Sequence, residues 1–176
     1  MGDLNYFKYY FLKLADIKFN EQKLEDNFLR FAKHLIQANS NFFMFRDFQS
    51  RNIMISNNEI YFIDYQGGRK GALQYDLASL LFQAKAEIPF QIRDEILRHY
   101  LKIAKQNAQI DTEEFMKYYY SFVLIRTLQV LGAYGFRGFY ERKSHFIESI
   151  PFAIKNLKWI TENQPLPIEL RELFYT

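Results

Sequence analysis

The stretch from Met44 to Leu81, MFRDFQSRNIMISNNEIYFIDYQGGRKGALQYDLASLL, sets Asp47, Asp64, Asp76 and the amide Asn52 among large apolar residues. Burying such groups is costly unless each finds a partner, so the pattern asks for a chemical reason. Asp47 and Asn52 lie five apart and flank a tight loop that enters an extended segment. Asp64 closes the next extended segment, and antiparallel pairing brings that end back beside Asn52. Two oxygen-bearing side chains then face one spot, with a second carboxylate one loop away. Hard divalent cations such as Mg²⁺ take such ligands, a few from protein and the rest from water and phosphate.

The elements around these residues are legible from pattern. Residues 4–14 are almost continuously bulky and apolar and predict a short buried helix. Leu24, Phe28, Phe31 and Leu35 recur at helical spacing within 21–37, behind Asn20 as cap. Extended segments are predicted at 42–45, 53–56 and 60–63, the last two joined by Asn57-Asn58, a pair that tolerates positive φ. QGGRKG reads as a flexible glycine loop, and helices follow at about 73–84, 90–107, 112–131 and 145–162. GAYGFRG is expected to end the third of these, Phe115, Tyr119 and Phe122 to line one side of it, and NQPLP to precede a last short helical piece. The fold class is mainly α with a small β-hairpin, in a single domain over 1–176, without repeats or linkers.

Bulk composition narrows the function. The 176 residues are 49% apolar and 24% charged, which suits a soluble globular chain long enough to build a core. A net charge of +3, with basic and acidic residues interleaved, argues against a nucleic-acid partner. No apolar run reaches membrane-spanning length, and the start MGDLNYFKYYFLKLAD has neither signal-peptide order nor the myristoylation pattern, since Tyr6 stands where Ser or Thr is needed. The absence of cysteine removes disulfides and thiolate metal sites and fits a cytoplasmic address. His34, His99 and His145 lack ligand spacing, the Tyr118–Tyr120 run reads as core plus surface, and Trp159 as a core anchor.

An Asp, four residues, an Asn and a hairpin ending in Ile-Asp together resemble the catalytic loop of the protein-kinase-like fold. In detail the chain resembles the aminoglycoside and choline phosphotransferase family of small-molecule kinases. That family runs His-x-Asp-x-x-x-x-Asn, then Ile-Asp-aromatic, then Tyr-Asp-Leu-Ala; here the segments are FRDFQSRN, FIDYQ and YDLASLL. Within the family it is most similar to bacterial cell-wall amino-sugar kinases, whose loop reads much like Arg-Asp-Phe-x-Ser-Arg-Asn. The motifs span Phe45 to Leu81; beyond them only helical character matches.

The resemblance implies a C-terminal kinase-like lobe that uses ATP and Mg²⁺ to phosphorylate a hydroxyl of a small molecule, a sugar or amino sugar being favoured. Asp47 would orient the acceptor hydroxyl and take its proton, and Asn52 and Asp64 would hold Mg²⁺ against the ATP phosphates. Asp76 and Arg46 would support the loop. Gln49, Arg51, Gln66 and Arg69 border the site as possible substrate contacts, although spacing assigns none of them a role. Phe45 departs from the family's His, keeping volume and losing a polar bond. A larger departure lies upstream, where no glycine-rich loop or Val-Ala-x-Lys strand precedes Asp47. The ATP-gripping N-terminal lobe is therefore expected elsewhere in the same polypeptide, and the chain alone is expected to be inactive or feeble. The alternative is a kinase-derived, non-catalytic module that binds a metabolite, nucleotide or protein. A protein kinase fits less well, because Tyr-Gln follows Asp64 and only 12 positions separate Asp64 from Asp76.

Overall fold

The computed structural model describes residues 1–168 and Leu170; the helical piece expected after NQPLP lies outside the described residues. In chain order the helices and strands are α1 (Gly2–Phe7), α2 (Glu21–Leu35), β1 (Phe42–Met44), β2 (Ile53–Ser56), β3 (Glu59–Phe62), β4 (Arg69–Gly71), α3 (Gln74–Leu81), α4 (Phe90–Ala108), α5 (Thr112–Gly135), α6 (Ser144–Ile147) and α7 (Ile150–Asn163). Wider π-helical turns extend α1 over Lys8–Leu12 and α5 over Phe136–Tyr140, and single 3₁₀ turns lie at Ser50–Asn52 and Ala84–Ala86. The chain is thus mainly α with a small antiparallel β component. No described helix is long and apolar enough to cross a membrane.

Contacts divide the chain into two compact units, Ala38–Phe122 and Met1–Gln37 with the chain from Val123 onward. The first carries the motifs. Its strands form two separate pairs, β2 with β3 and β1 with β4, both antiparallel. The β2–β3 turn forms for a local reason: Asn57 and Asn58 adopt φ of 49° and 63°, the left-handed pair that a two-residue hairpin loop needs. QGGRKG is not wholly a loop, because Arg69–Gly71 forms β4 and pairs with β1, setting Met44 opposite Arg69 and Phe42 opposite Gly71. The expected 73–84 helix stops at Leu81, and Gln83 has already left helical conformation.

In the second unit, Asn20 caps α2 as expected, its side-chain oxygen accepting from the Lys23 amide at 2.9 Å. Leu24, Asn27, Phe28 and Phe31 are the buried face of α2. GAYGFRG does not end its helix. Gly132 and Gly135 lie inside α5, and the π turn continues to Tyr140. Nor does α5 bury a single side: Tyr118, Tyr119, Ser121 and Phe122 of the first unit are all buried, and so are Val123, Leu124 and Ile125 of the second. The 145–162 helix is two pieces, α6 and α7, and Trp159 is only half-buried while Ala153, Leu157 and Ile160 fill the core.

One buried charge in this unit makes a testable feature. Lys8 is 2% exposed, and its ammonium bonds Glu25 at 2.5 Å and Glu21 at 2.7 Å; Glu21 also holds Lys13 at 2.6 Å. Bonds from Lys13 and then Lys8 pull the Glu21 carboxyl down to about 2, and bonds from Glu21 and Glu25 raise Lys8 above its ordinary value. A depressed carboxyl stabilises the fold fully above its unfolded pKa of about 4.3 and loses that contribution as pH falls toward 2. Removing both partners strands a buried cation, whereas removing the cation leaves one exposed and one half-buried carboxylate. The double change Glu21→Gln with Glu25→Gln is therefore expected to lower the thermal midpoint at pH 7 more than Lys8→Met does, and to flatten the decline between pH 4 and 2. Midpoints measured across pH check both.

Candidate active site

The loop from Phe45 to Asn52 joins β1 to β2, and its conformation is imposed from outside. Arg46 has φ of 79°, a left-handed value that a non-glycine residue adopts only when held. Asp76, in the first turn of α3, holds it: one carboxylate oxygen accepts from the Phe45 amide at 2.5 Å and the other from the Arg46 amide at 2.8 Å. What fastens Arg46 is thus its backbone amide, and the residue itself is exposed. Charge on Asp76 also reaches Tyr100, whose hydroxyl is pushed up to about 12 chiefly by burial and secondly by that carboxylate.

Within the loop, the structure gathers Asp47, Gln49, Arg51 and Asn52. Gln49 donates its side-chain amide to one Asp47 carboxylate oxygen, and the Arg51 guanidinium bonds the other at 2.8 Å. Two partners, one per oxygen, fix the plane of that carboxylate. Asn52 is 5% exposed; its Nδ2 donates to the Asp47 carbonyl at 2.8 Å and lies 3.5 Å from the Asp47 carboxylate. A bond from the Asn52 amide to the Gln49 carbonyl at 2.9 Å closes the turn. Because the carboxamide is planar, committing Nδ2 to Asp47 also fixes where the amide oxygen points.

Asp64 reaches the same region through the hairpin. Ile53 pairs with Phe62, and the Ile63 amide donates to the Asn52 carbonyl at 3.0 Å, which places Asp64 one residue beyond the backbone of Asn52. Its φ of 66° turns the chain out of the strand, its side chain is exposed, and Gln66 donates an amide hydrogen to the carboxylate. Arg69 lies apart from this group in sequence, on β4 opposite Met44 at the entry to the loop.

Phe45 packs where the family pattern has His. Its ring meets Phe48 edge-on at 5.5 Å and Phe62 at 6.5 Å, and Phe48 lies 5.6 Å from Phe62. Three aromatic rings thereby tie the loop to the hairpin. The polar bond that Phe45 cannot make through its side chain leaves the loop fastened through main-chain amides. Removing that fastening should show directly. Asp76→Ala leaves the half-buried Phe45 amide without its acceptor and releases the strained Arg46, an expected loss of about 2 kcal/mol by denaturant unfolding. Asp76→Asn, which keeps one acceptor oxygen, should lose less.

Gln83 was not foreseen. Its side-chain oxygen accepts from the Ser50 amide at 3.0 Å, across 33 residues of sequence. No motif or periodicity ties a glutamine at that distance to the loop. The aromatic triad had a weak signal, three Phe residues near the motif, but register rather than spacing brings Phe62 to it.

Among the described residues, no group of three or more His, Cys, Asp or Glu side chains is placed to hold a metal ion. What the loop and hairpin supply is one amide oxygen and one carboxylate, oxygen donors of the kind Mg²⁺ accepts when water and phosphate complete its shell. No curated protein shows significant similarity to the chain. A sequence profile of the phosphotransferase enzyme family, APH, matches residues 6–117, which takes in the loop, the hairpin, α3 and α4 and amounts to more than half of the 176 residues, so the chain belongs to that family of kinase-like phosphotransferases.

Proposed function

We propose that the chain is the catalytic, C-terminal lobe of an ATP- and Mg²⁺-dependent phosphotransferase whose acceptor is a hydroxyl of a small molecule, a sugar or amino sugar. The observation that carries this reading is the gripped Asp47 carboxylate beside Asn52, whose carbonyl accepts from the amide of Ile63, the residue before Asp64. Phosphoryl transfer needs in-line positioning and charge neutralisation more than covalent help from protein. Asp47 would accept the hydrogen of the acceptor hydroxyl and receive that proton as the acceptor oxygen bonds the γ-phosphorus. The bond from that phosphorus to the bridging oxygen then breaks, and ADP leaves with the electron pair. Asn52 and Asp64 are the residues that would hold Mg²⁺, which when bound neutralises charge on the phosphates. Gln49 and Arg51 keep the Asp47 carboxylate oriented, and Gln66 does the same for Asp64.

The proposal includes a second lobe of the same polypeptide to grip ATP. The β2–β3 ribbon supports it, because Ile55, Ile60 and Phe62 are between 51% and 76% exposed, more apolar surface than a small ribbon normally leaves to water. ATP consumption by the full-length protein, measured with Mg²⁺ and a panel of hexoses and amino sugars, tests the reading. Turnover that requires Mg²⁺ supports it. Absence of any Mg²⁺-ATP binding by calorimetry under saturating conditions would instead favour a non-catalytic binding module.

A further inference from the structure

Helix α3 touches the loop at both of its ends. Asp76, in the first turn, accepts from the Phe45 and Arg46 amides, and Gln83, two residues past the last turn, accepts from the Ser50 amide. Asp47 lies between the two points of attachment. A segment fastened at one point swings about it; fastened at two, it loses that freedom. Of the loop's other bonds, those from Asn52 to Asp47 and to Gln49 are internal to it and the one from Ile63 runs to the hairpin, so none of them joins it to α3.

Gln83 is itself braced. Its neighbour Phe82 lies under the Arg93 guanidinium at 4.4 Å, and Phe90 receives the same guanidinium at 4.5 Å. Arg93 is 5% exposed, and its Nε donates to the Ile88 carbonyl at 2.7 Å. The Gln83 carbonyl also accepts from the Ala86 amide at 3.1 Å. The turn between α3 and α4 is therefore clamped around a buried arginine. That bracing gives the Gln83 side chain a fixed base from which to hold Ser50.

We propose that Gln83 is a positioning residue for Asp47, the second anchor of a two-point clamp by which α3 sets the catalytic loop. The inference rests on the phosphotransfer reading above. Its chemistry is specific: the group required at position 83 is a hydrogen-bond acceptor on a two-carbon stem, so glutamate can replace glutamine and leucine cannot.

The test uses the full-length protein with Gln83→Leu and Gln83→Glu, Asp47→Asn as reference, and Gln83→Met should the leucine variant fail to fold. Amide hydrogen exchange at Ser50 is expected to quicken by about tenfold in Gln83→Leu and to return to the wild-type rate in Gln83→Glu. With Mg²⁺-ATP and an accepted hexose or amino sugar, kcat should fall by about ten- to a hundredfold in Gln83→Leu, with KM for ATP held and kcat recovered in Gln83→Glu. Unchanged Ser50 exchange in Gln83→Leu overturns the clamp. Unchanged kcat in that variant overturns the positioning role, provided Asp47→Asn abolishes turnover in the same assay. Turnover that survives Asp47→Asn removes the catalytic reading of the loop instead, and the exchange rate at Ser50 then decides the clamp by itself.

Discussion

Asp47→Asn in the full-length protein is expected to lower phosphoryl transfer by about two to four orders of magnitude, the range over which a positioned general base acts. The substitution keeps shape and removes only the ability to take a proton. Asn still offers one oxygen to Gln49 or Arg51, and the Asn52 side chain bonds the Asp47 carbonyl, which is unaltered. The ion pair lost with Arg51 joins an arginine 66% exposed to a carboxylate 35% exposed, a class of interaction worth at most about 1 kcal/mol. Rate and stability should therefore separate, with kcat collapsing while the unfolding midpoint barely moves. If Asn52 and Asp64 hold Mg²⁺-ATP as proposed, KM for ATP should hold as well, because both keep their places in the hairpin. A kcat within tenfold of wild type would remove Asp47 from the chemistry. Equal losses of kcat and stability would mean that the residue serves the fold.

The parts of this molecule legible in its sequence are those decided locally. Asn57-Asn58 predicts a hairpin because the two residues set their own φ, and with the turn fixed the register of β2 against β3 follows. Asn20 predicts the start of α2 because its cap reaches only three residues ahead. The placement of Asn52 beside Asp47 was likewise a matter of a short loop. Features decided by distant partners were not legible. Arg69–Gly71 contains nothing that reads as a strand, and it is one only because β1, some 25 residues earlier, offers it an edge. The Ser50 tie to Gln83 belongs to the same class, whereas the Asp76 carboxylate accepting from the loop amides is what the resemblance implied for that residue.

Gly135 shows most sharply how a distant partner reverses a local rule. Its φ of −62° and ψ of −50° are helical, so no conformational freedom peculiar to glycine is used there. On propensity alone, Gly135→Ala should stabilise α5 by about 1 kcal/mol. Space decides otherwise: a Cβ at that position would stand 1.9 Å from the Tyr10 carbonyl oxygen and 2.9 Å from the Phe11 Cα. Both are main-chain atoms of the π turn that extends α1, which cannot rotate aside as a side chain would. The two helical segments would have to separate, loosening the packing of Tyr10 against Phe136 at 5.1 Å. The expected result is a loss of about 3 kcal/mol or more, opposite in sign to the propensity effect and larger. Gly132→Ala should cost less, since its nearest obstacle is the Tyr6 ring at 2.8 Å, followed by the Phe7 nitrogen at 3.0 Å. Gly67→Ala, with nothing within 4 Å of the added methyl, should be neutral within about 0.5 kcal/mol. Denaturant unfolding of the three variants gives the order directly, and a Gly135→Ala protein as stable as wild type would show that the α1–α5 crossing is looser than these distances require.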